Sequence, residues 1–458
     1  MRIGSRKPRR RLRVVGILVA VAALGVVGWL AFRVGPEPTV AIDTDRPAIG
    51  RATVVSARFL EPENGLTDVR LEVAQGDRVE PLGSETFTAG SWLPWFGDRG
   101  TAETVLAGTV GRDVQPWLVE GELTIRATAV RATGFLRPSR TVVEELRLPV
   151  RLTPPRLEVL SSQHYGRQGG SGAVRYRVGD TAVRSGVRAG GHESTGSPMP
   201  DGGAGERFVL YALPWNLDDR AEIRLFAEDD AGNRVEQPFL DLFKPRPPST
   251  DRITITDAFL ARVVPPIADR SPEVDTSAPL IDQYLVINGE LRRAALDYIA
   301  ELSRASTPTF LWSGPFVQMA NSALRANFAQ TRTYVYDGEV VDHQTHLGLD
   351  LASTARAPVP APNAGRVLAA GWMTLYGNAV VIDHGGGLLS LSGHLSSIDV
   401  AEGELVERGQ IIGRSGATGL AGGDHLHLEI FVHGQSVDPL EWLDGTWIEN
   451  NITTKLSS

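Results

Sequence analysis

Three proline-rich joints limit how this chain can fold. They lie at residues 35–38, 153–155 and 244–248. Because proline removes a backbone hydrogen-bond donor and fixes φ, such clusters suit linkers between domains and not the central strands of a sheet. A chain of 458 residues is also long enough for about three domains of roughly 150 residues each. The joints therefore predict several separate folding units.

Short runs of alternating apolar and polar residues fill the segments between the joints. They lie at residues 69–73, 123–130 and 141–150, and again at 173–178, 208–212 and 221–228. Alternation at period two with β-branched residues predicts half-buried strands, and repeated short strands predict a β-sandwich. We therefore expect a mainly β protein with two immunoglobulin-like β-sandwich modules, residues 38–153 and 155–243. The modules act either as spacers or as binding modules, and the sequence leaves both open.

Residues 14–32 are an uncharged apolar stretch, VVGILVAVAALGVVGWLAF. As a helix, a stretch of this length spans a hydrocarbon core of about 30 Å. Residues 1–13 carry seven basic residues and no acidic ones, and the positive-inside rule keeps such a segment in the cytoplasm. We expect an uncleaved transmembrane anchor, single-pass in the cytoplasmic membrane, with the C-terminal domains periplasmic or extracellular. A cleaved signal peptide or a buried core helix is the alternative.

Charge and cysteine content exclude several kinds of site. The net charge is −8, and removing the seven N-terminal basic residues leaves −8 − 7 = −15 for the remainder. No basic domain suited to nucleic acid is therefore present. The chain has no cysteine, which excludes thiolate metal sites and disulfide bonds. Imidazole and carboxylate groups remain as the metal ligands to consider.

Two further segments complete the expected architecture. Residues 253–306 are expected to form a short helical connector, because residues 289–304 carry strong helix formers with apolar residues at helical spacing. This connector either packs on the following domain or covers its cleft. Residues 311–445 combine short strand patterns with many glycines, which predicts a compact, mostly antiparallel β domain.

Seven of the nine histidines lie between His343 and His433. His425 and His427 flank Leu426 on a predicted strand, so their side chains share one face. A catalytic zinc site uses three nitrogen or oxygen ligands and keeps one position open. His346, Asp350 and one histidine of the pair would complete that count. The other histidine of the pair and His394 then remain for acid–base chemistry.

These residues stand in a recognisable order. The set H-x-x-x-D, then Gly-His-Leu-Ser, then H-x-H resembles the lysostaphin/LytM-type zinc endopeptidases, metallopeptidase family 23. Residues 377–385 and 406–419 agree with that family, and the resemblance covers residues 311–445. Ser392 departs from the family, which often has an aromatic residue there. Gly422-Gly423-Asp424 stands where the family has Thr-Gly-Pro.

The resemblance implies a role for each site residue. His346, Asp350 and His427 would bind zinc, and His394 and His425 would be the catalytic pair. The implied fold is a LytM-like antiparallel β domain with the metal in an open groove. The implied activity is hydrolysis of peptide cross-links in bacterial peptidoglycan, with the peptide stems as substrate.

Two other interpretations come from different classes of protein. Some members of this family have lost zinc ligands and only activate other cell-wall hydrolases, whereas this chain keeps every ligand. The chain could alternatively be a structural wall-tethered protein whose β-sandwich modules bind cell-wall or protein partners.

Overall fold

A computed structural model describes residues 8–32, 37–62, 65–90, 100–133 and 138–457. Helix α1 spans Pro8–Phe32. The basic residues before Pro8, and the side chains at 8–12 and 29–32, lie outside the described part, so the predicted anchor is described only in its middle. Over the described ranges, we find no helix with the combined length and hydropathy of a membrane span. The anchor therefore stays a prediction.

The chain divides into two compact units. The first comprises Met1–Pro154 together with Asp230–Asn233, and the second comprises Pro155–Asp229 together with Arg234–Ser458. Each unit has its own hydrophobic core, as expected for separate folding units.

Two antiparallel sheets form the first unit. Its strands are β1 (Thr39–Thr44), β2 (Thr53–Leu60), β3 (Leu66–Gln75), β4 (Arg78–Thr86), β5 (Glu103–Val110), β6 (Gly121–Arg131) and β7 (Arg140–Val150). The sheet orders are β1-β2-β5 and β4-β3-β6-β7. Burial alternates along β2 and β6, and the inward residues of both sheets share one core. The three alternating runs predicted in this segment lie within β3, β6 and β7.

A second pair of antiparallel sheets begins the second unit. Its strands are β8 (Leu157–Val159), β9 (Tyr165–Arg167), β10 (Ser171–Val178), β11 (Ala182–Ala189), β12 (His192–Thr195), β13 (Ser197–Pro198), β14 (Glu206–Ala212), β15 (Ile223–Asp229), β16 (Arg234–Gln237) and β17 (Leu242–Lys244). The sheet orders are β13-β14-β10-β8 and β12-β11-β15-β16, and β17 pairs in parallel with β9. Both sheets bury side chains in one core. The class of the described chain, mainly β, is confirmed.

The predicted connector is helical. After β18 (Ser249–Thr254) come α2 (Asp257–Ala268), α3 (Leu280–Val286), a π-helical turn (Ile287–Leu291) and α4 (Arg292–Arg304). Ile299 of α4 is fully buried in one cluster with Leu391 and Phe431 of the C-terminal domain. Residues of α2 and α3 pack with Tyr334 in another cluster. The connector is thus part of the core on which it packs.

The C-terminal domain is built on one large sheet. Its elements are β19 (Ala323–Ala326), β20 (Gln330–Tyr336), β21 (Glu339–His346), β22 (Leu349–Ala352), β23 (Pro358–Pro360), β24 (Gly365–Trp372), β25 (Asn378–Gly385), β26 (Leu388–Leu395), β27 (Ser397–Ile398), β28 (Leu405–Val406), β29 (Ile411–Arg414), β30 (Leu426–Val432), β31 (Gln435–Val437), α5 (Pro439–Leu443), α6 (Gly445–Ile448) and α7 (Thr454–Ser457). The sheet order is β19-β22-β30-β26-β25-β24-β28, with β31 also paired to β30. All pairings in this sheet are antiparallel, as predicted.

Candidate active site

Strand register brings the predicted site residues together. Asp350 on β22 is the direct cross-strand partner of His427 on β30. On its other side, His427 is the partner of Gly393 on β26, next to His394. His346 is the last residue of β21. The sheet backbone therefore sets the separation of these side chains.

His346, Asp350 and His427 form a compact group that could hold a metal ion. Nε2 of His346 lies 2.9 Å from Oδ1 of Asp350 and 3.2 Å from Nδ1 of His427. Nδ1 of His427 lies 3.0 Å from the same Oδ1 atom. Tetrahedral zinc with bonds of about 2.0–2.1 Å places its ligand atoms about 3.4 Å apart. The group needs to expand by only a few tenths of an ångström to fit zinc.

Hydrogen bonds fix which ring nitrogen of each histidine faces this group. Nδ1 of His346 lies 2.9 Å from the carbonyl oxygen of Asn327. A carbonyl oxygen only accepts, so Nδ1 carries the proton and Nε2 is the atom free for a metal. Nε2 of His427 likewise donates to Oε2 of Glu429 at 3.2 Å, which leaves Nδ1 for the metal. Such second contacts orient metal-binding imidazoles and raise their basicity.

Glu429 is itself held in place by two further donors. The hydroxyl of Tyr376 donates to Oε2 at 2.9 Å, and Oγ of Ser436 donates to Oε1 at 2.6 Å. Glu429 is 1% exposed, so removing either partner would leave a buried polar atom unpaired. Burial, together with the charge of Glu429, raises the pKa of Tyr376 well above its ordinary value. The phenol therefore remains a hydrogen-bond donor.

Asp350 is the charged carboxylate of the metal group, and its neighbours stabilise that charge. Burial opposes its charge, but the interactions with the imidazoles of His346, His425 and His427 outweigh burial and hold its pKa far below the ordinary range. Nη2 of Arg332 donates to Oδ2 at 2.9 Å, on the oxygen that the imidazoles do not use. At His427 burial also disfavours the charged form, yet its two carboxylate partners raise its pKa to about 9. Without a metal, a proton on His427 accordingly neutralises part of the negative charge of Asp350 and Glu429.

The two predicted catalytic histidines stand side by side next to the metal group. The ring centroids of His394 and His425 are 4.8 Å apart. Nδ1 of His394 donates to the carbonyl of Thr418, and Nδ1 of His425 donates to the carbonyl of Gly423, each at 2.8 Å. Both rings therefore keep Nε2 unprotonated when neutral, and Nε2 of His425 lies 3.5 Å from Oδ1 of Asp350. Two proton acceptors thus adjoin the metal group.

The backbone of His394 is strained. Its φ is +61°, in the left-handed region that a residue with a Cβ rarely adopts. Such strain costs roughly 1–3 kcal/mol and tends to occur at functional sites. His394 is also buried, and burial lowers its pKa well below the ordinary value, so the ring is a neutral acceptor at neutral pH.

All five predicted site residues line one cavity of about 380 Å³. The connector supplies part of its wall, through Phe259, Tyr284 and Arg292. On α2, Arg262 donates to the carbonyl of Gly422 at 3.0 Å, in the loop that leads to the histidine pair. The connector therefore shapes the cavity as well as packing on the domain.

The remaining histidines do not join this group. His343 is exposed, and its Nδ1 lies 3.3 Å from Oγ1 of Thr333. His384 is buried and bonded to the carbonyl of Ala364 and to Oγ of Ser390, each at 2.8 Å. His433, His164 and His192 do not line the cavity. These positions agree with a structural or surface role.

Sequence reasoning missed two residues that contact the metal group. Glu429 lies two positions after His427 on the same strand face, so period-two spacing carried the signal. Arg332 gave no local signal, since 18 residues separate it from Asp350. Asp424, the departure noted above, accepts from the backbone amide of Arg356 and from Oγ of Ser415, and so stabilises the loop before the histidine pair.

Residues 344–439 match the sequence model described as Peptidase family M23. The C-terminal domain is an M23 peptidase-family domain. The matched segment contains all five predicted site residues, and it confirms the resemblance for this domain. The N-terminal helix and the two sandwich-like segments lie outside the match.

Curated relatives of the M23 domain include two enzymes and one activator. The DD-carboxypeptidase/endopeptidase Mpg of Neisseria meningitidis serogroup B is 42% identical over 95 residues, covering 21% of this chain and 22% of the relative. The peptidoglycan DD-endopeptidase ShyB of Vibrio cholerae serotype O1 is 35% identical over 125 residues, covering 27% and 29%. The murein hydrolase activator EnvC of Escherichia coli K12 is 38% identical over 96 residues, covering 21% and 23%. The chain thus spans less than a third of the length of these relatives.

Among solved structures, a peptidase M23 crystal structure from Pseudomonas aeruginosa is similar to a longer part of the chain. It is 21% identical with a TM-score of 0.39, and the alignment covers 60% of this chain and 94% of that one.

Proposed function

We propose that this chain is a zinc-dependent endopeptidase that hydrolyses peptide cross-links of bacterial peptidoglycan. The observation that carries the proposal is the arrangement of five side chains in one cavity. His346, Asp350 and His427 turn three ligand atoms toward one another, and two histidine proton acceptors stand beside them. Mpg and ShyB are named as endopeptidases, which agrees with this chemistry.

Zinc suits the donor set of this group. Two imidazole nitrogens and one carboxylate oxygen are borderline-hard ligands of the type found in catalytic zinc sites. Bound there, zinc would supply Lewis acidity, which polarises a scissile carbonyl and makes water a stronger acid. The fixed ring orientations of His346 and His427 mean that the protein holds the ligand set in the orientation that binding requires.

His425 is the proposed general base. Its Nδ1 proton is used by the carbonyl of Gly423, so only Nε2 can accept a proton from a water molecule in the cavity. Nε2 lies 3.5 Å from the carboxylate of Asp350, whose negative charge stabilises the imidazolium that forms. The ring is partly exposed to the cavity, so it can exchange this proton with the leaving amine.

His394 is the proposed partner of His425. With Nδ1 bound to the carbonyl of Thr418, the ring donates from Nε2 only after it has accepted a proton. Protonated, it would hydrogen-bond a developing oxyanion or pass the proton to the amine. Burial, and to a smaller extent the charge of His425, hold the pKa of His394 well below its ordinary value, so its ring is neutral before the reaction begins.

A non-catalytic activator of another cell-wall hydrolase is the second candidate. The similarity to EnvC, a murein hydrolase activator, favours it. The intact metal group and both catalytic histidines favour the enzyme. Metal-dependent hydrolysis by the purified chain separates the two candidates.

We also propose that α1 anchors the chain in the cytoplasmic membrane, with the C-terminal domains periplasmic or extracellular. The uncharged run at residues 14–32 and the exposed apolar side chains of Ile17 and Leu24 support this placement. Peptidoglycan lies outside that membrane, so the anchor would hold the catalytic domain near its substrate. Carbonate extraction of membranes tests it: release of the full chain into the soluble fraction would reject the anchor.

The decisive experiment incubates the full chain, solubilised in detergent, with isolated peptidoglycan sacculi. Fragments are identified by mass spectrometry, and the variants His427→Ala and His343→Ala are compared. We expect zinc-dependent loss of cross-linked dimers, abolished in His427→Ala and retained in His343→Ala, because only His427 belongs to the metal group. Equal release by both variants, or no release with zinc, would reject the enzyme.

A further inference from the structure

A second cavity lies in the second unit, apart from the metal group. Its volume is about 570 Å³, and it is enclosed by β9, the end of β17 and the C-terminal helices α5–α7. It shares no lining residue with the cavity that holds His427. A cavity of this size accommodates a small ligand or the end of a peptide.

Three cations line this second cavity: Arg167, Lys244 and Lys455. Across the described ranges, none of the three forms an ion pair with an aspartate or glutamate. Lys455 is only 7% exposed, and a lysine so buried normally has an anionic partner. The chain has just three lysines, and two of them are here. The cavity therefore presents positive charge that the protein does not neutralise.

The acidic residues that line the same cavity interact with other groups. Asp438 pairs with Arg246 at 2.6 Å. Oε2 of Glu441 accepts from the backbone amide and from Oγ of Ser171, at 2.8 and 3.2 Å. Asp444 caps α6, whose first backbone amides donate to its Oδ1 atom. None of these three carboxyl groups forms an ion pair with one of the three cations.

Two neighbouring groups add no opposing charge at neutral pH. Burial, with a smaller effect of Lys455, lowers the pKa of His164 to about 4, so its imidazole is neutral. Burial raises the pKa of Glu441 to about 8, so its carboxyl is largely protonated. With Asp438 paired to Arg246, the three cations then face one remaining charged carboxylate in the lining, that of Asp444.

The remaining lining is suited to peptide groups. Gln163 and Asn450 line the cavity at exposed positions, and their side-chain amides form no hydrogen bond with another described residue. Tyr165, 52% exposed, and Trp447 contribute aromatic surface. Amide side chains pair with peptide N–H and C=O groups, and aromatic rings cover apolar side chains.

We propose that this cavity binds a carboxylate-bearing peptide, with the carboxylate at Lys455 and Lys244 and the peptide backbone along Gln163 and Asn450. The identification of that peptide with a peptidoglycan stem rests on the proposed function. The cavity would then hold the substrate at a second point, away from the bond that is cut.

Peptide binding can be measured without hydrolysis. The full chain is kept metal-free with a chelator, and binding of L-alanyl-D-glutamyl-L-lysine is followed by calorimetry beside the same tripeptide with its carboxylates amidated. We expect the free acid to bind at least tenfold more tightly than the amide. Lys455→Gln and Lys244→Gln should each remove most of this difference, because each deletes one cation.

Arg366→Gln is the matched control. Arg366 is an exposed cation of β24 that lines neither this cavity nor the cavity that holds His427, so its loss should leave binding unchanged. If Lys455→Gln does not fold, Lys244→Gln, at an exposed position, still tests the site. Equal affinity for acid and amide, or full binding by a folded Lys244→Gln variant, overturns the inference.

The sacculus assay is read separately. If sacculi are cleaved but the free-acid and amidated tripeptides bind equally, the second site alone is rejected. If the free acid binds more tightly but sacculi are not cleaved, the endopeptidase alone is rejected.

Discussion

Arg332 and Asp350 form an ion pair in which the arginine uses only one carboxylate oxygen. Nη2 of Arg332 is 2.9 Å from Oδ2, while Oδ1 faces the imidazoles of His346 and His427. The pair is 18% and 14% exposed, so solvent screens it little. By holding Oδ2, Arg332 presents Oδ1 as a single ligand atom.

We expect Arg332→Gln to weaken zinc binding about 10- to 100-fold, the usual cost of losing a contact that orients a metal ligand. Zinc affinity is measured by competition with a chromophoric chelator. Arg325→Gln, which removes an exposed arginine of the same cavity, is the control and should bind zinc normally. Equal affinities of the two variants would show that Arg332 does not position Asp350.

Glu429→Gln should weaken zinc binding about tenfold or more, because His427 would donate to a neutral amide and become a less basic ligand. The amide oxygen can still accept from Tyr376, so the variant should stay folded. The readouts are zinc affinity and the thermal midpoint of unfolding. The exposed Glu402→Gln serves as control; a fall in stability without a fall in affinity would assign Glu429 a purely structural role.

Gly348→Ala should disrupt the metal group by steric contact alone. A Cβ at this position would lie 2.7 Å from both Cε1 and Nε2 of His427, so the ring must move. We expect at least a tenfold loss of zinc affinity, and a shift of the His427 ring signals in NMR spectra. Gly422→Ala is the matched control, since nothing lies within 4 Å of the added Cβ in the same cavity wall. Normal zinc binding by Gly348→Ala would contradict this geometry.

Glu441 should make stability fall as pH rises. Burial, then the charge of Asp438, raise its pKa from 4.5 to about 8, so the folded state holds the proton more tightly than the unfolded state. The stabilisation is complete below pH 4.5 and is lost as pH rises through about 8, at up to about 1.4 kcal/mol per pH unit.

Glu441→Gln should remove that dependence. Its amide oxygen can still accept from Ser171, and it carries no charge to bury. Urea unfolding at pH 5 and pH 9 should show the variant more stable than the parent chain at pH 9 only. Parallel stability profiles for the two proteins would contradict the assignment.

The sequence predicted those parts of the site that depend on local spacing. His425 and His427 share a strand face because β-strands have period two, and His346 and Asp350 are close in the chain. Residues that contact the metal group only because strands pair could not be predicted from the sequence. Arg332 reaches Asp350 because β20 and β21 form a hairpin, in which Gln330 pairs with His346.

The connector shows a second limit of sequence reasoning. Helical spacing predicted a helix at 289–304, whereas the helical segments run from Leu280 to Arg304 and include a π-helical turn. Within that turn the side-chain amide of Asn288 donates to Asp342 at 2.7 Å, and its backbone carbonyl accepts from Arg292. A tertiary contact of this kind overrides the regular helical period, and propensity alone does not reveal it.

Asp350 and His427 are register partners in the sheet, and this pairing has a consequence for the order of events in the cell. Fixing the two ligand residues costs conformational entropy, and this cost arises when their strands pair during folding. It does not arise again when a metal binds. Folding can therefore precede the binding of the metal. A sample from which a chelator has removed zinc should bind zinc again without refolding. When zinc is scarce, the chain would stay folded without metal and able to bind it.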